Sequence, residues 1–488
     1  MKQIILFFGR VKWLSQLLAV IILTMSCTDN DTFSTDRNNR LTFTQEGAVI
    51  DTLDIDTVFT QVGSSTHTFI VNNNSSDGIR LTNVILRGGN QYGFRVNVDG
   101  TYLSKENGYQ MNDLEIRKGD SVRVFVEVLA PKHSGIPYAE LTDQLVFNLE
   151  SGVSQSLTLH ACSMDAKEMR GKVVTADETI DGSTPLIIYD SLVVAEGATL
   201  TIPAGTTLYF HDKAGIDVRG TLRVEGTPEA PVTMRGDRLD RMFDYLPYDG
   251  VSGQWEGIHI RQSSYNNIIT HADIHGAYNA IVCDSSDVSK LKLDIRNSIV
   301  HNNKGYGLWL THSSVSIVNC QITNALYNCL YVCGGNYYIN NCTIAQYYVI
   351  NKAGDYACHF TNSHDGHHYP LYRFDVYNSI ITGMSDDAIL GNGDTLSTYN
   401  YYLDHCLIKT PAFQSDKIKD IIFDKDTLEW TSDKNFRLID HDNLRYDFHL
   451  DTLSIALGKA DATTSESTDL HGRRRKPTPD LGCYELQY

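Results

Sequence analysis

The sequence predicts an all-β protein in which an antiparallel β-sandwich precedes a parallel β-helix. Two patterns predict this fold class. Between residues 41 and 165, short runs of alternating apolar and polar residues are separated by Gly, Asn and Asp. Between residues 269 and 408, one six-residue phrase occurs six times. The 488 residues are enough for two or more domains with a sizeable core.

The first 26 residues have the features of a secretory signal peptide. Lys2, Arg10 and Lys12 precede an apolar run that is too short to span a bilayer, and Ser26 precedes Cys27. This junction resembles the lipobox of bacterial lipoproteins. The resemblance implies that Cys27 is acylated, for instance with palmitate, and becomes the mature N-terminus. Secretion without lipidation is the alternative.

Residues 27–40 are polar and acidic, which predicts a flexible tether between the lipid and the folded part. Acidic residues behind a lipidated cysteine resemble the export signal of surface-exposed lipoproteins in some Gram-negative bacteria. The resemblance implies a lipid-anchored protein of the outer membrane, exposed at the cell surface. A plain solvated linker is compatible with the same composition.

The charge of the chain excludes nucleic acid as an expected partner. The formal net charge is −18. Residues 1–26 carry three basic and no acidic residues, so the remainder has 38 basic and 59 acidic residues and a net charge of −21. Binding to nucleic acid or anionic lipid relies on positive charge. The one basic run, Arg473 to Lys476, is predicted to be a solvated loop.

The sandwich prediction covers residues 41–165. Runs such as Phe94 to Val98 and Ser121 to Val128 alternate strictly, as strands do when one face of a sheet is buried. Their order resembles the immunoglobulin-like domains of bacterial surface proteins. The resemblance implies a spacer or docking unit, and we find no catalytic constellation in this part of the sequence.

The repeated phrase has aliphatic first and last positions, Asn or His at the third and a small residue at the fourth. The third position falls at His271, Asn297, Asn319, Asn341, Asn378 and His405, with steps of 26, 22, 22, 37 and 27 residues. A second phrase follows in fixed phase, with a small residue before Ile281, Leu308, Leu330 and Ile389. Two strands in phase at this repeat length predict a parallel β-helix with coils about 4.8 Å apart.

The stacking of the coils also predicts the positions of the cysteines in the β-helix. Cys320, Cys342 and Cys406 share a rung with small residues and Cys329 shares another, which predicts small buried core residues. A Cys320–Cys342 disulfide remains an alternative, although parallel side chains at strand spacing hold their Cβ atoms somewhat too far apart. A zinc site at Cys329 and Cys333 lacks a second pair of ligands.

The asparagines of the repeated phrase form a ladder of their own. Asn297, Asn319, Asn341 and Asn378 occupy the same position in successive coils. Their amides can bond along the ladder and to the backbone of the turns. We therefore expect a structural role for them.

Three segments carry a resemblance to a known fold family. They are SLVVAEGATLTIPAGTTLYFHDKAGIDVRGTLRVEGTPEAPVTM from Ser191, GQWEGIHI from Gly253 and DLHGRRRKPTPDLGCYE from Asp469. They resemble right-handed parallel β-helix proteins related to pectate lyases and polygalacturonases. The resemblance covers residues 171–488 and implies their fold. Enzymes of this fold act on acidic polysaccharides, either as lyases that use calcium and a basic residue or as hydrolases that use paired carboxylates.

Candidate catalytic and metal-binding residues are few. Asp386 and Asp387 superficially resemble the paired aspartates of polygalacturonases, but the partner motifs of that family have no match here. The long 37-residue step contains His364, Asp365, His367 and His368, a weak candidate metal site, although adjacent loop histidines are commonly just solvated. We predict no cofactor.

Tyrosines form the candidate binding residues. Exposed tyrosines stack well on sugar rings and on partner surfaces. They lie in neighbouring coils at Tyr337, Tyr338, Tyr347, Tyr348, Tyr369, Tyr372, Tyr401 and Tyr402. Where a Tyr-Tyr pair lies on a strand, alternation requires one member to face inward.

These observations predict a surface-exposed outer-membrane lipoprotein that acts without catalysis. A lateral face of the β-helix would bind a polysaccharide or an outer-membrane protein. The alternative is a polysaccharide lyase or glycoside hydrolase acting on acidic glycans. Clustered carboxylates with Lys or Arg on one face would favour the enzyme, and a broad aromatic face would favour binding.

Overall fold

The computed structural model describes residues 32–133, 137–243, 245–349, 356–427 and 429–487. They divide into two compact units. The first contains residues 32–55, 66–131 and 140–161, and the second contains residues 56–65, 132–139 and the chain from residue 162 onward. The predicted signal peptide, residues 1–26, and the predicted lipidation site, Cys27, lie outside the described residues.

The N-terminal strands form two antiparallel sheets. These strands are β1 (Leu41–Gln45), β2 (Ala48–Val49), β3 (Thr52–Phe59), β4 (His67–Asn73), β5 (Ile79–Leu86), β6 (Phe94–Val98), β7 (Thr101–Tyr102), β8 (Gln110–Ile116), β9 (Ser121–Val128), β10 (Tyr138–Leu149) and β11 (Ser154–Met164). One sheet has the order β2-β1-β4-β9-β6-β7 and the other β3-β11-β10-β5-β8. A 3₁₀ turn, Lys105–Asn107, lies between β7 and β8.

The sandwich arises because each strand buries alternate residues. In β9 the buried residues are Val122, Val124, Val126 and Val128, while the residues between them face outward. Phe43 of one sheet meets Phe147 of the other at a ring-centroid distance of 5.0 Å. The predicted alternation between residues 41 and 165 is therefore confirmed.

Parallel strands form the second part of the fold. They are β12 (Lys167–Arg170), β13 (Val173–Val174), β14 (Glu178–Thr179), β15 (Leu186–Tyr189), β16 (Ser191–Val194), β17 (Thr199–Pro203), β18 (Thr207–Phe210), β19 (Gly215–Val218), β20 (Thr221–Glu225), β21 (Val232–Gly236), β22 (Arg241–Phe243), β23 (Leu246–Pro247), β24 (Gly257–Ile260), β25 (Asn267–Thr270), β26 (Ala272–His275), β27 (Ile281–Cys283), β28 (Leu293–Arg296), β29 (Ile299–Asn303), β30 (Leu308–Val318), β31 (Gln321–Ala325), β32 (Leu330–Asn340), β33 (Thr343–Gln346), β34 (Cys358–Thr361), β35 (Ser363–His364), β36 (His367–His368), β37 (Leu371–Tyr377), β38 (Ile380–Gly383), β39 (Ile389–Asn392), β40 (Tyr402–Asp404), β41 (Leu407–Lys409), β42 (Ile418–Lys419) and β43 (Ile422–Asp424). The exceptions are two small antiparallel hairpins, β22-β23 and β35-β36. Another hairpin, β44 (Phe436–Asp440) with β45 (Arg445–Leu450), follows. Two further 3₁₀ turns are Tyr248–Gly250 and Ser432–Asn435.

The coils of this helix have three lateral faces. Face A is the 11-stranded sheet from β12 to β43. Face B contains β16, β19, β24, β27, the first half of β30 and of β32, β34 and β39. Face C contains β17, β20, β25, β28, the second half of β30 and of β32, β37 and β40. The all-β fold class, with sandwich-like sheets before a parallel β-helix, is confirmed.

A glycine marks the corner between faces B and C. Gly335 has a φ of 96°, and a Cβ atom there would collide with the carbonyl oxygen of Ser313 in the coil below. Only glycine combines a left-handed backbone with so close an approach. Cys333 is buried beside this corner.

The repeated phrase has a backbone explanation. Its third residue has positive φ in all six copies, between 46° and 53°. Asn tolerates this left-handed conformation better than most non-glycine residues, and His is also enriched there. The phrase therefore marks the turn that leads from face C to face A.

The asparagine ladder bonds differently from the prediction. Asn297 does reach the neighbouring coil, with its Nδ2 3.1 Å from Nε2 of His271. Asn319, Asn341 and Asn378 bond residues 461–475, which we name the closing segment, and Asn378 also donates to Oδ1 of Asn340 in the neighbouring coil at 2.9 Å. Asn319 Nδ2 donates to the carbonyl of Thr468 at 2.8 Å. Their role is structural, as expected, but they hold this segment against the coils.

Three residues of the basic run, Arg473 to Arg475, belong to the same closing segment. Arg475 is 7% exposed, and its guanidinium donates to Oδ1 of Asn319 at 3.0 Å and pairs with Glu485 at 3.4 Å. The prediction of a wholly solvated loop is therefore wrong at Arg475. A basic residue is buried here because carbonyl and carboxylate oxygens surround it.

The cysteines of the described residues are free thiols. Cys320, Cys342 and Cys406 are fully buried, and each thiol donates to the carbonyl two residues before it, at 3.2 to 3.3 Å. Burial raises the pKa of the Cys329 and Cys333 thiols to about 12. The prediction of small buried core residues is confirmed.

The predicted tether is bonded to the sandwich from Thr32 onward. The amide of Gly78 donates to the carbonyl of Thr32 at 2.8 Å, and Arg80 lies over the ring of Phe33 at 4.7 Å. Residues 32 and 33 therefore contact the sandwich, whereas the flexibility of the tether stays a prediction. Phe33 is the residue of this polar segment whose ring packs against the sandwich, under the guanidinium of Arg80.

Candidate functional site

Face B presents one outward side chain per coil at the same register position. These residues are Asp217, His259, Val282, Trp309, Tyr331, His359 and Leu390. Their neighbours along the strand, such as Leu308 and Leu310, are buried, because side chains alternate across a strand. Stacking therefore places Trp309, Tyr331 and His359 in direct succession.

Rings from the adjoining turns extend this row into a cluster. The ring of Tyr306 lies 5.0 Å from Trp309, 5.2 Å from Tyr327 and 5.4 Å from Tyr331. Tyr331 meets His359 edge-on at 5.1 Å. These distances are typical of favourable aromatic pairs. We name Tyr306, Trp309, Tyr327, Tyr331 and His359 the aromatic cluster.

The cluster has a buried base and an exposed rim. Tyr331 is 4% exposed and its hydroxyl lies 2.9 Å from Nδ1 of His364, so it supports the other rings. Tyr327 is 46% exposed. Tyr278, in the equivalent turn two coils earlier, is 42% exposed. The accessible surface thus runs along the corner between faces A and B.

Polar residues line the same face toward its N-terminal coils. Arg219, Arg261, Tyr265 and Asp284 line an open cavity of about 560 Å³. Arg261 donates to Asp217 at 2.8 Å, and His259 lies 2.7 Å from Asp284. Burial alone would raise the pKa of Asp217, but the hydrogen bonds from Arg261 and Arg219 hold that pKa below its ordinary value.

Aromatic rims beside hydrogen-bonding groups suit sugars. The faces of Tyr and Trp rings stack on the C–H faces of pyranose rings, while Arg and Asp side chains bond hydroxyl groups. The coil spacing of about 4.8 Å is close to the length of one sugar residue, so successive rungs can contact successive residues of a chain.

Comparison with known proteins agrees with this scaffold. Residues 189–344 match the family model of the right-handed β-helix region. No curated protein matches the sequence. Residues 189–344 therefore contain a right-handed β-helix region.

Similar solved structures cover small parts of the chain. They include a family 123 glycoside hydrolase from Clostridium perfringens, at 7% identity over 27% of this chain and 30% of that chain, with a TM-score of 0.19. The N-terminal domain of PorA has 13% identity over 26% of this chain and 97% of that chain, with a TM-score of 0.18. The CooA pilin subunit from enterotoxigenic Escherichia coli has 11% identity over 26% and 97%, also at 0.18. These TM-scores are too low to assign a fold or a function.

The eight predicted tyrosines do not form one platform. Tyr337 and Tyr347 are 1% and 0% exposed and pack inside apolar clusters, so they offer no surface to a ligand. Tyr401 packs against the ring of Phe360 at 5.3 Å. The alternation expected of the Tyr-Tyr pairs is confirmed at Tyr337 and Tyr338, because Tyr338 is the half-exposed member.

The remaining tyrosines occupy three separate places. Tyr338 and Tyr402 are on face C, each near Tyr377 at ring distances of 5.8 and 6.2 Å. Tyr369 and Tyr372 adjoin the β35-β36 hairpin near His312, at 5.7 and 6.4 Å. The hydroxyl of Tyr348 lies 2.6 Å from that of Ser252.

The predicted histidine-rich metal candidate is also dispersed. His364 and His367 face each other across the hairpin, whereas His368 pairs with Ser363 in the register and its Nδ1 lies 2.7 Å from Asp394. Asp365 forms the hairpin turn with a φ of 48°. In the described part of the chain, the groups of three or more converging metal ligands lie elsewhere.

The two predicted catalytic aspartates have different surroundings. Asp387 accepts a hydrogen bond from Thr410 at 2.8 Å and caps its turn. Asp386 lines a cavity of about 500 Å³ together with Lys409, Asp424 and Asp426. Lys409 donates to Asp426 at 2.8 Å. Burial would raise the pKa of Asp426, but the hydrogen bonds from Lys409 and Ser432 hold that pKa below its ordinary value.

The insertion between β21 and β24 contributes two features. Phe243 and Tyr245 stack at 5.7 Å and are each 53% exposed. Asp249, in the 3₁₀ turn, lies 2.9 Å from Nε2 of His275 on face A and 2.5 Å from Arg235. The insertion thus reaches the outer surface of face A.

Sequence reasoning missed Trp309 and Tyr331, although a signal was present. The second phrase places aliphatic residues such as Leu308 and Leu330 inside the helix. The residue that follows each of them must face outward by alternation. The residue that follows each aliphatic residue of the second phrase therefore predicts the row of outward side chains on face B.

None of the helices within the described ranges is long and apolar enough to cross a membrane.

Proposed function

We propose that this protein is a cell-surface lipoprotein whose β-helix binds a polysaccharide along face B without cleaving it. The aromatic cluster carries the proposal, because it combines an exposed rim of tyrosine with a half-buried tryptophan on a straight, regularly spaced surface. The adjoining Arg219 and Arg261 add groups that bond hydroxyl or carboxylate oxygens of an acidic glycan.

The experiment is a binding screen with the purified full-length chain against neutral and acidic polysaccharides, followed by calorimetry. Tyr327→Ala and Trp309→Ala should each weaken binding about tenfold, or about 1.4 kcal/mol. The matched control is Tyr338→Ala, which removes a half-exposed ring from face C. Equal losses in all three variants, or no glycan bound by the native chain, would contradict the proposal.

A protein partner is the competing outcome. Affinity purification of the native chain from gently solubilised outer membranes distinguishes it. A one-to-one membrane-protein companion that is lost in the Trp309→Ala variant would assign face B to a subunit interface and exclude the polysaccharide.

The lipid anchor is part of the same proposal. The lipobox-like junction before Cys27 supports it, and the immunoglobulin-like sandwich would then act as a spacer between membrane and β-helix. A labelled palmitate analogue should enter the wild-type chain and not Cys27→Ser, which should leave the membrane fraction. Labelling of the variant would place the lipid elsewhere.

A polysaccharide lyase or hydrolase is the second candidate. The cavity with Asp386, Asp424, Asp426 and Lys409 favours it, because a lyase uses carboxylates together with a basic residue and a hydrolase uses a pair of carboxylates. Release of shorter acidic glycans by the wild type, abolished in Asp386→Asn, would support the enzyme. No release from any acidic polysaccharide would exclude it.

A further inference from the structure

A second site lies on face A, away from the aromatic cluster. Asp273 and His275 are two residues apart on β26, so both point to the same side of the sheet. The register pairs His275 with His301 of β29 in the next coil. Two imidazoles and one carboxylate therefore meet at one point of the outer surface.

Their donor atoms converge. Oδ1 of Asp273 lies 2.8 Å from Nδ1 of His275 and 3.1 Å from Nε2 of His301. One donor atom from each of the three residues falls within 4.8 Å of the others. The two imidazole rings lie 4.6 Å apart and tilt by 32°.

The surroundings of His275 match those of a metal-binding histidine. Its Nδ1 faces the centre of the group, and its Nε2 lies 2.9 Å from Asp249, which Arg235 holds in turn. Metal-ligating histidines commonly donate the second ring N–H to a carboxylate, which fixes the tautomer and orients the ring. Asp249 is in the right place for that role.

The site is buried on one side and open on the other. The side chain of His275 is 4% exposed, whereas those of His301 and Asp273 are 23% and 34% exposed. The buried histidine gives a rigid ligand, and the exposed edge gives a path for an ion and a position for water. Three protein ligands with an open position are typical of non-structural zinc and other divalent metal sites.

We propose that Asp273, His275 and His301 bind a divalent transition metal, with zinc as the representative ion and Asp249 as the positioning residue for His275. The metal would link two coils of the β-helix directly. Through Asp249, which bonds His275, it would also link these coils to the insertion of residues 237–256. This site is independent of the polysaccharide proposal, since it lies on a different face.

A similar group at Asp404, His405 and Asp420 is the weaker candidate. Lys419 lies 3.5 Å from Asp404 and 3.8 Å from Asp420, so an ammonium group already neutralises these carboxylates. We therefore assign the metal to the face A site.

The test uses the full-length chain without a histidine tag, stripped with a chelator and titrated with zinc by calorimetry. The wild type should bind one zinc ion at this site. His301→Gln, which alters a partly exposed ligand, should lose that binding. Asp249→Asn should weaken the zinc affinity by roughly 10- to 100-fold without abolishing it.

The matched control is His211→Gln. His211 also lies beside a buried aspartate, at 2.6 Å from Asp237, but in a group that lacks a second histidine. This control should bind zinc like the wild type. Cobalt substitution provides a second readout, because a visible absorption spectrum should appear in the wild type and not in His301→Gln.

Two results would overturn the proposal. One is equal zinc affinity in the wild type and in folded His301→Gln, as judged by circular dichroism. The other is the absence of zinc binding in the wild type. Either would mean that Asp273, His275 and His301 form a hydrogen-bond and ion-pair network only.

Discussion

At the scale of single residues, positive φ explains why the repeated phrase requires Asn or His. All six third positions adopt the left-handed conformation, where most side chains clash with the backbone. The adjacent small residue is set by the core, because Cys320 and Ser298 occupy the same rung in neighbouring coils. One phrase thus encodes both a turn and a packing constraint.

Asn297 provides a test of the turn. Asn297→Val should lower the free energy of unfolding by about 1–2 kcal/mol, because a β-branched residue is strained at a φ of 49°. Asn297→Gly should cost less, since glycine adopts this φ freely and loses only the contact with His271. Chemical denaturation of both variants measures the difference, and an equal loss would contradict a backbone cause.

His211 should make stability depend on pH. The hydrogen bond with Asp237 raises the pKa of His211 in the folded state. A raised folded pKa means that the stabilisation is fully present below the unfolded pKa of about 6.5 and is lost as pH rises through the folded value.

The wild type should therefore exceed His211→Gln in stability by more at pH 6 than at pH 9. Thermal unfolding across this range measures the effect. A stability difference that grows toward alkaline pH would have the wrong sign for this pair.

At the scale of elements, the closing segment is a part of the fold that strand periodicity does not describe. Residues 461–475 lie along the turns from face C to face A, where they bond Asn319, Asn341 and Asn378. Arg475 joins this segment to Glu485 and to the coils. The stability of the last coils therefore depends on contacts between residues more than 80 positions apart.

Arg475→Ala tests this element. Removing Arg475 takes away the buried partner of Glu485 and leaves only the longer contact with Lys476 at 3.9 Å, so we expect a loss of about 3 kcal/mol in the free energy of unfolding. The control Arg474→Ala changes an exposed neighbour and should cost less than about 0.5 kcal/mol. Similar losses in both variants would mean that the buried pair is not what stabilises the segment.

At the scale of the whole molecule, the net charge of −18 limits the partners. Arg219 and Arg261 form a local basic pair, but Asp217 and Asp284 neutralise it. Face B is therefore suited to a ligand recognised by stacking and hydrogen bonds rather than by bulk attraction.

We therefore expect that the chain does not bind polyanions whose binding depends on charge alone. We expect no electrophoretic shift of duplex DNA by the full-length protein at about 0.15 M salt. A basic DNA-binding domain of similar size serves as the positive control. A shift at this salt concentration would show that a local patch outweighs the overall charge.

The sequence by itself determined the periodic parts of this protein. Alternation in the sandwich, the six phrases, their phase with the second phrase and the buried cysteines all follow from local rules of strands and turns. The same rules extend to the row of outward side chains on face B. Each of these residues directly follows the aliphatic residue of the second phrase, so the sequence alone could have predicted the row. The step of 26 residues that links His271 to Asn297 likewise links His275 to His301.

Only the tertiary structure decided which surface residues meet. Tyr337 and Tyr347 carry the same side chain as Tyr327, yet burial removes them from any binding surface. Asp249 reaches His275 from an insertion, and residues 461–475 join the asparagine ladder from outside the coils, so neither segment belongs to the repeated phrases. The physical reason is that the repeat determines the position of each coil. The contacts of the insertions and of the closing segment depend instead on shape, on charge and on polar groups that need a hydrogen-bond partner.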